Sequence, residues 1–85
     1  MGIRRLELSL DEVRFGSVVR NLRSERGWSQ ERLAEHADLN RTYLGEIERG
    51  VAIPSLVSAS KIASAFGLRL SVLIASCEES IRREA

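Results

Sequence analysis

The stretch QERLAEHADLNRTYLGEIERG, residues 30–50, carries the pattern from which the rest of the chain can be placed. Ser29 just ahead of it is a helix cap. Leu33, Ala34 and Ala37 then recur at the spacing of one buried helical face, so a short helix runs from Gln30 to Ala37. Asp38-Leu39-Asn40 is a tight connection, because Asp and Asn tolerate left-handed backbone better than most residues. Asn40 caps the next helix, about Arg41 to Arg49, with Leu44 and Ile47 inward. Two helices that cross steeply need a small residue where they meet, and Ala34 supplies one. Leu33, Ala37, Leu39, Leu44 and Ile47 share a core, which leaves Arg41, Thr42, Tyr43 and Glu46 outward. A polar, long-reaching first turn suits a helix whose N-terminal end enters a DNA major groove. Many helical hairpins share this spacing, so the flanking chain has to agree with it.

It does. Upstream, Ser9-Leu-Asp-Glu12 reads as a capping box, and a helix beginning near Leu10 or Asp11 buries Phe15, Val18, Val19 and Leu22. Trp28 is expected as a staple over the second helix, and His36 as an exposed helical residue. Downstream, Pro54-Ser55 opens a fourth helix whose inward face is Leu56, Ala59, Ile62, Ala63 and Phe66. Ser71 is the expected cap of a fifth helix reaching about Arg83, with Leu70 and Leu73 completing the core. Gly27, Gly50 and Gly67 each follow an amphipathic run, where a helix ends in a left-handed residue. Only in the arm Ile3 to Leu10 do apolar residues (Leu6, Leu8, Leu10) alternate as in an extended segment. The expectation is an all-α fold of five helices: an N-terminal arm, residues 1–9, and a single domain, residues 10–85.

Composition narrows the function. The 85 residues carry a net charge of +1, from 13 basic and 12 acidic side chains, so total charge says nothing about nucleic acid. Twelve of the bases are arginine against the single Lys61. Arginine's planar fork suits phosphate and guanine edges; a genome rich in arginine codons produces the same bias. One cysteine, Cys77, excludes an internal disulfide, and with the single His36 it is too little for a zinc site. No phosphate-cradling glycine loop, nucleophile elbow or histidine pair is present, so neither an enzyme nor a cofactor is expected. The longest apolar runs, such as Val72-Leu73-Ile74-Ala75, are far too short for a membrane span, and no secretory signal is recognisable. A cytoplasmic location is expected.

"LRSERGWSQERLAEHADLNRTYLGEIERG", then "PSL", "KIASAFGL" and "LSVL", strongly resembles the Xre family of lambda-repressor-like and Cro-like helix–turn–helix regulators. The resemblance covers about Phe15 to Leu73, and "RTYLGEIERG" is most similar to the controller proteins of restriction–modification systems. Asp38 departs from the family, which often has glycine there. The resemblance implies that Gln30 holds a DNA phosphate and that Arg41 reaches guanine N7 and O6. It gives Thr42 a base edge or thymine methyl, Tyr43 a phosphate or sugar, and Glu46 a cytosine amine or Arg41. Asn40 and Arg49 are candidates for DNA-backbone contacts. It further implies a structural pair, Arg23 with Glu48, tying the first helix to the reading helix. Gly45 inside that helix suggests a close approach, by another helix or by DNA.

The function implied is a sequence-specific, double-stranded-DNA-binding transcriptional regulator, a homodimer on a pseudo-palindromic operator, with RNA polymerase as a further partner. One helix–turn–helix reads only a few base pairs, whereas a two-fold dimer reads two half-sites about 34 Å apart. Val72, Ile74, Cys77 and Ile81 recur along the fifth helix beyond the monomer core and are the expected dimer face. The alternative from another class is a protein-interaction module such as an antitoxin that masks a toxin.

Overall fold

A computed structural model describes the backbone of residues 12–84 and the side chains of residues 14–79. Five helices follow one another: α1 Glu12–Glu25, α2 Gln30–Ala37, α3 Arg41–Glu48, α4 Leu56–Ala65 and α5 Leu70–Glu84. No strand occurs among the described residues. The arm, the Ser9 capping box and the side chain of Ile81 lie outside them.

Local chemistry fixes the helix starts. Ser29 Oγ accepts the Arg32 N–H at 3.0 Å, Asn40 Oδ1 the Tyr43 N–H at 3.1 Å, and Ser55 Oγ the Ser58 N–H at 3.0 Å. Each such cap stabilises its helix by about 1 kcal/mol. Between α2 and α3, Asp38 takes the left-handed conformation at φ 56°, with its N–H on the carbonyl of Glu35. Lys61 of α4 donates to the Asp38 carbonyl at 3.3 Å, with the Asp38 carboxylate 3.7 Å away, so the turn is held from across the fold. The aspartate therefore does the work of the commoner glycine.

Three sequence expectations are corrected here. Ser55 is the cap of α4, with Pro54 ahead of it, and Leu56 is not core: it is 77 % exposed. It lies on the Ala59 side of the helical wheel but opens the helix, and no described part of the chain covers that turn. Ser71 is not a cap, since α5 already begins at Leu70 and the Arg69 carbonyl accepts its first amides, from Val72 and Leu73. Cys77 does not face outward. One helical turn after Leu73, it is fully buried beneath α1 and α4. That burial, with a smaller contribution from the Glu78 charge, pushes its thiol pKa up to about 11, so it stays protonated.

The core joins Phe15, Val18 and Val19 of α1 to Leu33, Leu44, Ile47, Ile62, Phe66 and Leu73. Trp28 closes one side, as a staple should: its ring stacks on His36 at 4.6 Å and on Phe66 at 5.8 Å. Arg26 lies over both aromatic rings and donates to the Phe66 carbonyl at 2.7 Å. Within this frame α3 packs against α1 and α2.

The tightest crossing involves Gly16, which the sequence patterns do not single out. A Cβ there would lie 2.7 Å from the Glu48 carbonyl oxygen and closer still to that of Ile47, so α1 touches the backbone at the end of α3. At Gly45 an added Cβ would meet only the ends of flexible side chains, the Arg49 guanidinium at 3.3 Å and Gln30 Oε1 at 3.6 Å. The two glycines should therefore respond oppositely to alanine. Gly16→Ala is expected to cost about 3 kcal/mol by overpacking. Gly45→Ala should be neutral or up to about 1 kcal/mol stabilising, through helix propensity. Urea unfolding of both variants checks this, and equal losses would contradict it.

Candidate nucleic-acid interface

The outer face of α3 is held by its far end. Glu48 is 6 % exposed, and each of its carboxylate oxygens is engaged. Arg23 Nε donates to Oε2 at 2.8 Å, and Arg23 Nη2 to Oε1 at 3.0 Å. Gln30 Nε2 adds a third bond, to Oε1 at 3.0 Å, and Arg23 Nη1 donates to the Trp28 carbonyl at 2.9 Å. Among the described residues no buried side-chain polar atom lacks a partner. Forked guanidinium–carboxylate pairing of this kind fixes orientation as well as distance. The knot thus ties α1, the loop before α2, the first residue of α2 and the last of α3 to one another.

From that anchor α3 presents Arg41 and Thr42, both exposed, at its start, with Asn40 beside them. Asn40 spends its side-chain oxygen on the cap of α3. Tyr43 and Glu46 are half-buried. The Tyr43 hydroxyl donates to Ser58 Oγ of α4 at 3.3 Å, and the Ser55 hydroxyl to the same oxygen at 3.2 Å. Ser58 thus enters the site although nothing in its sequence surroundings marks it. At the other end of the helix, the Glu46 carbonyl accepts the amides of Val51 and Ala52, at 2.8 and 3.2 Å, fastening the following loop.

Gln30 has a structural role beside the one expected of it. Its amide nitrogen is committed to Glu48, so the side chain braces α3. The Gln30 and Glu31 backbone amides, which the helix cannot satisfy internally and which the Ser29 cap of Arg32 does not occupy, are placed there to meet an anion. A polar cleft of about 260 Å³ opens beside them, lined by Arg20, Arg23, Gln30, Glu48 and Arg49. Arg20 is the residue the sequence reading missed. Its signal was its place one helical turn before Arg23, on the same face of α1.

The expected dimer face is not assembled as such. Val72 is exposed and Ile74 half-buried, while Cys77 is enclosed. Besides Val72, the large exposed apolar side chains among the described residues are Val51 and Ile53 in the α3–α4 loop and Leu56 and Val57 at the start of α4. Leu56 forms the ridge between two mainly apolar grooves. Phe15, Ile53 and Ile74 help to line one, and Val57, Lys61 and Leu70 the other. No three His, Cys, Asp or Glu side chains converge on a metal-sized point among the described residues.

A helix-turn-helix family model matches residues 19–73. The control protein C.MunI of a Mycoplasma species is 41 % identical over 69 residues, covering 80 % of this chain and 93 % of that protein. The control protein C.BamHI of Bacillus amyloliquefaciens is 42 % identical over 71 residues, covering 76 % and 88 %. Among solved structures, the restriction-modification controller protein C.AhdI from Aeromonas hydrophila superposes with a TM-score of 0.70 at 42 % identity, covering 73 % of this chain and 94 % of that one.

The polar knot predicts asymmetric mutational costs. Arg23→Ala strands a buried carboxylate and should destabilise the fold by about 3 kcal/mol. The double variant Arg23→Ala/Glu48→Ala removes that stranded charge and should recover part of the loss. Thermal unfolding of the singles and the double measures this, and strictly additive losses would rule out the coupling.

Proposed function

This chain belongs to the helix-turn-helix family, and we propose that it regulates transcription by binding DNA in the manner of a restriction–modification controller, as a homodimer on a pseudo-palindromic operator. The observation that carries the reading is α3, whose exposed first turn is aimed by a buried, fully bonded ion pair at its other end. In this reading Arg41 donates its fork to guanine N7 and O6, and Thr42 meets a neighbouring base edge or a thymine methyl. Glu46, one turn on, accepts from a cytosine amine or steadies Arg41. Tyr43, Asn40 and Arg49 contact the sugar–phosphate backbone. The first-turn amides of α2, with Arg20 and Arg49 across the cleft, take a phosphate that sets the docking register. Occupancy of the operator blocks polymerase at one position and, at another, helps to recruit it.

The exposed apolar residues support a dimer surface other than the one expected along α5. Ile53, Leu56, Val57 and Val72, with the half-buried Ile74, replace Cys77 as the apolar face for a second copy. Large exposed apolar side chains gathered about one helix start mark an interaction surface. A two-fold contact would repeat the same patch on both subunits.

Selection of bound duplexes from a random library, with Arg41→Ala in parallel at one salt concentration, tests the base-reading claim. The wild type should enrich a two-fold motif, and the variant should lose preference at one position per half-site, worth about 1–3 kcal/mol. No enriched motif would defeat the reading. Sedimentation equilibrium tests the dimer separately: Leu56→Glu/Val57→Glu should sediment as a folded monomer, whereas an unchanged dimer would place the interface elsewhere.

A further inference from the structure

We propose that Ser58 and Ser55 of α4 form a hydroxyl relay that positions the Tyr43 hydroxyl as a donor to a DNA backbone phosphate. The inference rests on the DNA-binding reading above and adds two positioning residues to it. Tyr43 lies in the first turn of α3, next to the exposed Arg41 and Thr42, and its side chain is half-buried and packed on the core. The ring is therefore fixed in place. Its hydroxyl oxygen lies 3.3 Å from Ser58 Oγ, which in turn lies 3.2 Å from Ser55 Oγ. The last oxygen is anchored by the Ser58 backbone N–H at 3.0 Å, as the cap of α4.

A hydroxyl both donates and accepts, whereas a phosphate oxygen only accepts. Without DNA, the Tyr43 proton points to Ser58. At 3.3 Å this bond is longer than the usual O–H···O distance, so turning the proton away gives up little. When a phosphate oxygen approaches, the Tyr43 proton swings to it. The Ser58 proton then turns to the Tyr43 oxygen that has lost its donor role, while Ser58 Oγ continues to accept from Ser55. Three hydroxyl protons point the same way, toward the phosphate, and each bond polarises the next. Ser58 does not itself touch DNA. It keeps the Tyr43 oxygen bonded in both states, so the contact forms without leaving a half-buried oxygen unpartnered.

The same two turns of α4 bear Leu56 and Val57, the exposed apolar pair between Ser55 and Ser58. A partner seated there would stiffen the serines that hold Tyr43.

The test uses the full chain and the duplex enriched by the wild type, with affinities measured across a range of salt. Tyr43→Phe should bind about five-fold more weakly, the worth of one hydrogen bond formed on binding, and Ser58→Ala about two- to five-fold more weakly, through lost positioning and polarisation of the Tyr43 hydroxyl. The salt slope and the enriched motif should stay unchanged, since no cation and no base contact is lost. Ser58→Thr should restore wild-type binding, and Tyr43→Phe/Ser58→Ala should bind no more weakly than Tyr43→Phe alone. If alanine weakens folding, Ser58→Cys repeats the comparison with the volume kept. Wild-type affinity in both the Ser58→Ala and Ser58→Cys variants, or losses that add in the double variant, would overturn the relay while leaving the DNA reading intact. A wild type that enriches no duplex overturns both.

Discussion

The buried carboxylate of Glu48 is the constraint on which the arrangement of this small domain turns. A charge taken out of water is tolerated only when nearly every lone pair finds a donor, and a pair that loses one partner is worse than none. Glu48 collects its donors from two separate helices, Arg23 of α1 and Gln30 of α2, and Arg23 is itself tethered to the Trp28 carbonyl. Satisfying one side chain thus places four segments. Gly16 makes this possible, since α1 lies against the carbonyls of Ile47 and Glu48 and a methyl group there would hold the helices apart. The ion pair supplies direction, and the missing side chain supplies proximity.

Glu48 lies at the C-terminal end of α3 and Arg41 at its start, seven residues or about 10 Å of helix away. A helix is stiff over that length, so anchoring one end aims the other. The +1 net charge makes this aim matter. A strongly basic protein gains non-specific affinity from counterion release at many phosphates. In the proposed reading this chain draws its affinity from a few oriented groups, among them Arg41, Arg49 and Arg20.

Much of this was legible in the sequence because it depends on local chemistry. The caps Ser29 and Asn40 and the left-handed Asp38 act within a few residues of themselves, so short-range patterns reveal them. The Arg23–Glu48 pair spans 25 residues, and the family resemblance, not residue spacing, pointed to it. What was missed depends on tertiary contact. Gly16 looks like any glycine in a helix until its neighbour across the crossing is known. Ser58 looks like a surface serine until Tyr43 is folded against it. Leu56 shows the opposite failure: helical periodicity says which side of the wheel a residue occupies, but not whether anything covers that turn. Cys77 was assigned to a partner because the wheel puts it near Ile74, yet a modest rotation separates the inward stripe of Leu73 and Cys77 from the outward Val72.

The position of the exposed apolar residues bears on how two reading helices would be set apart in the proposed dimer. The loop that follows α3 is not slack, because the amides of Val51 and Ala52 close on the Glu46 carbonyl and fasten it to the last turn of the helix. Ile53 comes next, and Leu56 and Val57 follow directly after the cap of α4. A contact between copies at these residues would therefore lie only a few bonded residues from the end of α3, and Tyr43 would add a second tie, through Ser58, near its start. An interface at the far end of α5 would have to act through that helix's packing on α1 and α4. Recognition of half-sites one turn of DNA apart tolerates little play in the separation of the two helices. A dimer face built on the α3–α4 connection meets that demand with less intervening structure than the C-terminal helix would.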